Sequence, residues 1–133
     1  MYYFAYASNL NRKLMQTRCP DCKPKFGAIL PNYRLVFVGW SRQWRGAKAT
    51  IRSFRGEKVV GAVYEISNKD LARLDNYEGY PREYKHLNVT VFTDDDRPVE
   101  AITYIKTGAA EDARPSPEYL ATIKQGYRDW GIE

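Results

Sequence analysis

Two stretches of this chain pair a chemically useful group with a geometry able to present it. The first ends at the acid Glu78. Leu71 and Leu74 lie three residues apart, and Glu78 falls seven after the one and four after the other, so a helix would carry all three on one face. Gly79 follows directly and suits the left-handed residue that closes a helix. A carboxylate in that last turn meets the negative end of the helix dipole, and partial burial strips its water. Both effects raise its pKa toward neutrality, the range of a general base or acid. The alternative is a Glu78 that swings into water beyond a frayed helix end, and the spacing admits both.

The second stretch is Tyr2-Tyr3-Phe4-Ala5-Tyr6-Ala7-Ser8-Asn9-Leu10-Asn11. The aromatic and apolar run from Tyr2 to Tyr6 reads as a strand covered on both faces. It breaks at the small residues Ala7, Ser8 and Asn9, before Leu10, Leu14 and Met15 take up helical spacing. Unpaired backbone N–H groups at such a break can face an anionic or carbonyl ligand. An ordinary strand-to-helix turn, capped by Asn9 or Asn11, fits the same residues.

Other reactive residues point less far. Cys19 and Cys22 form a single Cys-x-x-Cys pair, and His86 is the one histidine. Cys and His alone therefore cannot supply four ligands to zinc, so no metal is expected. The pair lacks the βαβ setting of a thioredoxin-like motif and reads as two reduced thiols, and His86 as structural. Asp94, Asp95 and Asp96 read as a solvated turn. Arg42, Arg45, Lys48, Arg52 and Arg55, with Trp40 and Trp44 among them, have the makings of a single-stranded nucleic-acid surface. A solvated arginine-rich loop and strand face is the plainer reading, and nucleic acid is not the expected partner.

These groups need elements to position them. Asn11 to Arg18 reads as a short helix stopped at Cys19-Pro20. Phe26 to Val38 gives two strands or one strand bent at Pro31-Asn32, and Gly39 to Lys48 a loop. Ala49 to Phe54 and Val59 to Ile66 read as a hairpin turning at Arg55-Gly56-Glu57. Ser67 and Asp70 have capping-box spacing for a helix from Lys69 to about Tyr77. A second hairpin, Tyr84 to Thr93 and Val99 to Ile105, follows, and then a polar connection from Thr107 to Arg114. Ser116 and Pro117 open a final helix whose apolar face is Leu120, Ile123, Tyr127 and Trp130, with Gly131 ending it. The sum is an α+β chain: a curled mixed sheet or small barrel with about three helices.

At 133 residues, with 44% hydrophobic and 28% charged content, the chain reads as one globular domain spanning 1–133. A net charge of +5 is spread along it. No apolar run nears the roughly 20 residues that cross a bilayer, and the N-terminus lacks the features of a signal peptide. A cytoplasmic protein without membrane contact is the expectation.

Read together, the motifs resemble a known family. Tyr6-Ala7-Ser8-Asn9 is similar to the Tyr-Gly-Ser-Asn loop of the γ-glutamylcyclotransferase family (AIG2-like). Leu74-Asp75-Asn76-Tyr77-Glu78-Gly79 resembles its Leu-Asp-x-x-Glu-Gly segment, and Trp44 to Ile51 its Trp-x-Gly-x-x-Ala-Thr-Ile stretch. Pro115-Ser116-Pro117-Glu118-Tyr119 resembles its Pro-Ser-Pro-x-Tyr segment. The likeness runs in order from Tyr3 to Gly131. It implies a γ-glutamylcyclotransferase-like fold and an enzyme that closes a small γ-glutamyl amino acid or amine to 5-oxoproline, releasing the free amine.

By the same resemblance Glu78 is the catalytic base. Tyr6, Ala7, Ser8, Asn9 and Leu10 bind the glutamyl moiety, with Tyr84 and Tyr119 adding hydroxyl contacts. Tyr104 is a lesser candidate, from a strand position that could face the same cavity. No cofactor or metal is implied, the partner is the γ-glutamyl substrate, and a homodimer is compatible. Two departures stand out. Ala7 replaces the family's Gly, and Tyr80 to Tyr84 replaces a segment that is often longer. The competing reading is a non-catalytic metabolite- or nucleic-acid-binding domain on the same fold.

Overall fold

A computed structural model describes residues 1–132. Five strands close into a small barrel in the order β1-β3-β2-β4-β5, where β1 is Tyr2–Ala5, β2 Lys23–Ser41, β3 Gly46–Glu65, β4 Tyr84–Phe92 and β5 Pro98–Lys106. Three helices accompany it: α1 (Arg12–Arg18), α2 (Asn68–Glu78) and α3 (Pro117–Asp129). A 3-10 turn, Ser8–Leu10, links β1 to α1. Neighbouring strands are antiparallel except β1 and β5, whose parallel contact at Tyr3 and Ile102 closes the barrel.

The aromatic opening run is covered on both faces, as its composition implies, apart from Tyr2, which is exposed. Phe4 joins Leu30, Ile51, Val63 and Val91 in one apolar cluster, whereas Tyr3 and Ala5 pack with Leu10, Met15 and Leu74 in another. One short strand thus ties the two halves of the core together.

The expected hairpin at Arg55-Gly56-Glu57 is absent. β3 is a single 20-residue strand. Its pairing with β2 jumps from Pro31–Lys58 to Tyr33–Ser53, so four residues bulge opposite Asn32. Gly56 (φ 88°) and Asn32 (φ 64°) meet there, the Gly56 N–H donating to Asn32 Oδ1 at 3.1 Å. Two sets of turn-forming residues facing each other made one irregularity within a ladder, not a reversal of the chain. The reversal lies where a loop was expected. Strand pairing continues to Val38–Lys48 and Ser41–Gly46, around a tight turn with Arg45 at φ 57°.

Helix boundaries follow their caps. The Asn11 side chain accepts from the Leu14 N–H at the start of α1. Ser67 and Asp70 form a full capping box on α2, and Gly79 closes it at φ 68°. Ser116 caps α3. The buried face of α3 is Tyr119, Ile123 and Gly126 rather than the expected set, because Leu120 is only half-buried. Trp130 lies just past the helix, and its indole N–H donates to the Leu10 carbonyl at 2.8 Å.

Candidate functional site

Glu78 is the last residue of α2 and is only 8% exposed. The buried Leu74, one turn earlier, holds that face against the core, so the carboxylate points inward. It lines a small cavity with Tyr3, Tyr6, Ala7, Ser8, Asn9, Lys48, Ala49, Tyr104 and Tyr119. The helix end and the small-residue break therefore meet, and the solvent-facing alternative for Glu78 is excluded.

Two side chains hold the carboxylate. Lys48 Nζ, from β3, lies 3.2 Å from Oε1, and Asn9 Nδ2 lies 3.5 Å from Oε2. Asn9 is itself fixed, since its Oδ1 accepts from Arg18 Nη1 at 2.9 Å and its Nδ2 donates to the Tyr3 hydroxyl at 2.9 Å. Arg18 is buried, and among the described residues no carboxylate lies within ion-pair distance of it. In the cavity wall Lys48 and Glu78 thus form one ion pair, and Arg18 stands behind Asn9 and fixes its amide.

The loop supplies backbone donors. Ala7 precedes the 3-10 turn at φ −143°, and no side chain caps the turn's opening N–H groups. That φ is negative, so the methyl that replaces the family's glycine hydrogen carries no left-handed penalty. Gly126 of α3 lets the helix approach closely, since a Cβ there would sit 2.6 Å from the Asn11 nitrogen.

Phenols complete the wall. The Tyr119 hydroxyl accepts from the Ala49 N–H at 2.9 Å, leaving its own proton free to donate. Tyr6 donates to the Tyr104 carbonyl at 2.7 Å. The Tyr104 hydroxyl donates to Asp75 at 2.6 Å, and His86 Nε2 lies 2.7 Å from the same oxygen. Burial pushes the Tyr119 phenol up to about 12. Tyr3, Tyr6 and Tyr104 lie further above the ordinary phenol value, through burial first and neighbouring charge or hydrogen bonding second. All stay neutral at physiological pH, fit to donate.

Of the residues expected at the site, Tyr6, Ala7, Ser8, Asn9, Glu78 and Tyr119 line the cavity, as does Tyr104. Two do not. Leu10 is fully buried in the core beside Met15 and Leu74, because the turn has already rotated its side chain away. Tyr84 spends its hydroxyl on the Ala49 carbonyl at 2.7 Å, and Lys48 Nζ lies 4.7 Å from its ring centre. Its ring lines the adjoining outer groove instead, beneath Lys48 and Lys106. Sequence reasoning missed Tyr3, Arg18 and Lys48. Lys48 gave no signal of its own, since strand alternation puts a residue flanked by Ala47 and Ala49 on the opposite face, where a charge reads as solvated.

Cys19 and Cys22 lie outside the cavity lining. Cys19 is buried with its thiol on the Asp70 carbonyl, and burial pushes Cys19 up to about 12 and Cys22 up to about 11. Trp44 is half-buried and packs on Tyr119 at 4.8 Å between ring centres, whereas Trp40 is exposed. Among the described residues no group of three or more His, Cys, Asp or Glu side chains is placed to hold a metal ion. Among the described residues no helix is long and apolar enough to cross a membrane.

Comparison with known proteins gives concordant results. The family model described as gamma-glutamyl cyclotransferase, AIG2-like, matches residues 3–128. Gamma-glutamylcyclotransferases of Bos taurus and Homo sapiens are each 32% identical over 135 residues, covering 98% of this chain and 71% of theirs. A solved structure titled gamma-glutamyl cyclotransferase superposes with a TM-score of 0.94 at 31% identity, covering 99% of this chain and 80% of that one.

Proposed function

The chain belongs to the AIG2-like gamma-glutamyl cyclotransferase family, and on that premise we propose that it converts a small γ-glutamyl amino acid or amine to 5-oxoproline. The reaction is an intramolecular aminolysis. Glu78 takes a proton from the substrate's α-ammonium, and the freed amine attacks the γ-carbonyl carbon of the same molecule. One C–N bond forms as the attacking nitrogen gives up a second proton, the C–N bond to the leaving amine breaks, and the departing nitrogen receives both protons by way of Glu78 and leaves as an ammonium. Neither water nor any oxidant or reductant is consumed.

The observation that carries this reading is the meeting of a buried carboxylate with the Ala7–Asn9 break in one cavity. Because nucleophile and electrophile share a molecule, the substrate itself has already met the entropy of bringing them together, and the protein's part is to hold the curled conformer in line for attack. A positioned base adds roughly 10²–10⁴-fold. The backbone N–H groups of the turn and the Tyr119 hydroxyl are the donors available to the tetrahedral oxyanion.

Incubation of the purified protein with a panel of γ-glutamyl amino acids and γ-glutamyl amines tests the proposal by chromatography of the products. Release of 5-oxoproline in equal amount to free amine is expected. Release of glutamate instead would mean that water, not the substrate's own amine, is the nucleophile. No product from any member would favour a binding module on this fold.

A further inference from the structure

Lys48 stands where the reacting ammonium of a substrate would have to stand. Its Nζ is 3.2 Å from Glu78 Oε1, the oxygen a substrate amine would approach, and its side chain is only 17% exposed. With Lys48 in place the inner cavity measures about 20 Å³. One water needs about 10–15 Å³ on that measure, so no glutamyl group fits until the lysine withdraws. The same side chain also lines an outer groove of about 310 Å³, bordered by Trp40, Arg42, Tyr77, Glu83 and Lys106. Lys48 is therefore the partition between the two spaces, and the groove is the other space it borders.

We propose that Lys48 selects the leaving group: it gives up Glu78 to the substrate's ammonium and pairs in the outer groove with a carboxylate on the leaving amine. The proposal rests on the cyclotransferase reading above. The exchange keeps Glu78 opposite a cation throughout, so the partly buried carboxylate is never left uncompensated. The displaced ammonium needs an anion in turn. The groove already holds Arg42 and Lys106 against the single acid Glu83, and Lys106 Nζ lies 5.7 Å from the same Tyr84 ring that Lys48 covers. A neutral or cationic leaving amine would leave three positive side chains against Glu83 alone. A leaving amino acid, with its own carboxylate, relieves them. The exposed aromatic surfaces of Trp40 and Tyr77 suit an apolar or aromatic side chain on that amino acid.

The test compares γ-glutamylphenylalanine with γ-glutamylphenethylamide, which differ only in the leaving group's carboxylate. Wild-type protein is expected to prefer the first by about tenfold or more in kcat/KM, and Lys48→Met to bring the ratio near one. An unchanged ratio in that variant, or no preference in the wild type, overturns the proposal. A measurement on the wild type alone guards against a variant that does not fold. The uncleavable analogues of the two substrates, with CH2 in place of the scissile N–H and the α-ammonium kept, should differ about tenfold in inhibition in favour of the one with the carboxylate, and equal inhibition overturns the proposal too. Equal turnover of both substrates defeats only the role of Lys48. Absence of 5-oxoproline from both defeats the cyclotransferase reading and this inference with it.

Discussion

Ala49 has no chemistry of its own, yet two phenols hold its peptide. Tyr119 accepts from its N–H and Tyr84 donates to its carbonyl. The peptide so clamped sets the backbone from which Lys48 reaches Glu78. The two tyrosines differ in what else they do, because only Tyr119 lines the cavity with a spare hydroxyl proton. Tyr84→Phe and Tyr119→Phe should each lower stability by about 1–3 kcal/mol in denaturant unfolding, through one buried group left unpaired. Tyr119→Phe should also lower kcat by about tenfold or more, through loss of a donor, with a smaller effect for Tyr84→Phe. Equal losses of kcat would mean that the Tyr119 hydroxyl acts only as a clamp.

α2 brings Glu78 to the site and α3 brings Tyr119, and the ends of the two helices separate stability from activity. Ser67 caps α2 at the end remote from Glu78, so Ser67→Ala should cost about 1 kcal/mol of stability with kcat/KM unchanged. Gly126→Ala should do more. Its methyl would press on Asn11 and Leu10 and displace the turn that carries Ser8 and Asn9, at a cost of about 1–3 kcal/mol. Kinetics beside thermal unfolding should show activity falling out of proportion to stability. The sequence made α2 legible because capping box, apolar spacing and terminal glycine agree on one element. The β2–β3 ladder was misread because Pro31-Asn32 and Arg55-Gly56-Glu57 each carry honest turn chemistry, and only their pairing across the sheet reveals a bulge. Lys48 and Arg18 stayed hidden for a related reason. A basic residue in a strand or helix reads as solvated until the fold shows what covers it.

The whole molecule buries an unusual share of its titratable hydroxyls, and this has a consequence at high pH. Burial raises the phenols of Tyr3, Tyr6, Tyr64, Tyr84 and Tyr104, raises Tyr119 to about 12, and raises the Cys19 and Cys22 thiols to about 12 and about 11. The ordinary values are 10.0 for tyrosine and 9.0 for cysteine. Above those values the unfolded chain loses protons that the folded chain keeps, so unfolding becomes easier as pH rises. The stabilisation is fully present below about pH 9 and is lost progressively through pH 9 to 12. Urea titrations across that range should show the midpoint falling steadily, and a flat midpoint would show that these phenols and thiols ionise as freely in the folded state.

The account turns on Glu78 as the group that moves the proton, and one comparison addresses it directly. 5-Oxoproline release from γ-glutamylphenylalanine is measured for wild-type protein and for Glu78→Gln, which keeps the size and the Asn9 contact but cannot accept the proton. The account predicts a loss of at least about 100-fold in kcat with an unchanged circular dichroism spectrum. Turnover undiminished in the folded variant would contradict it.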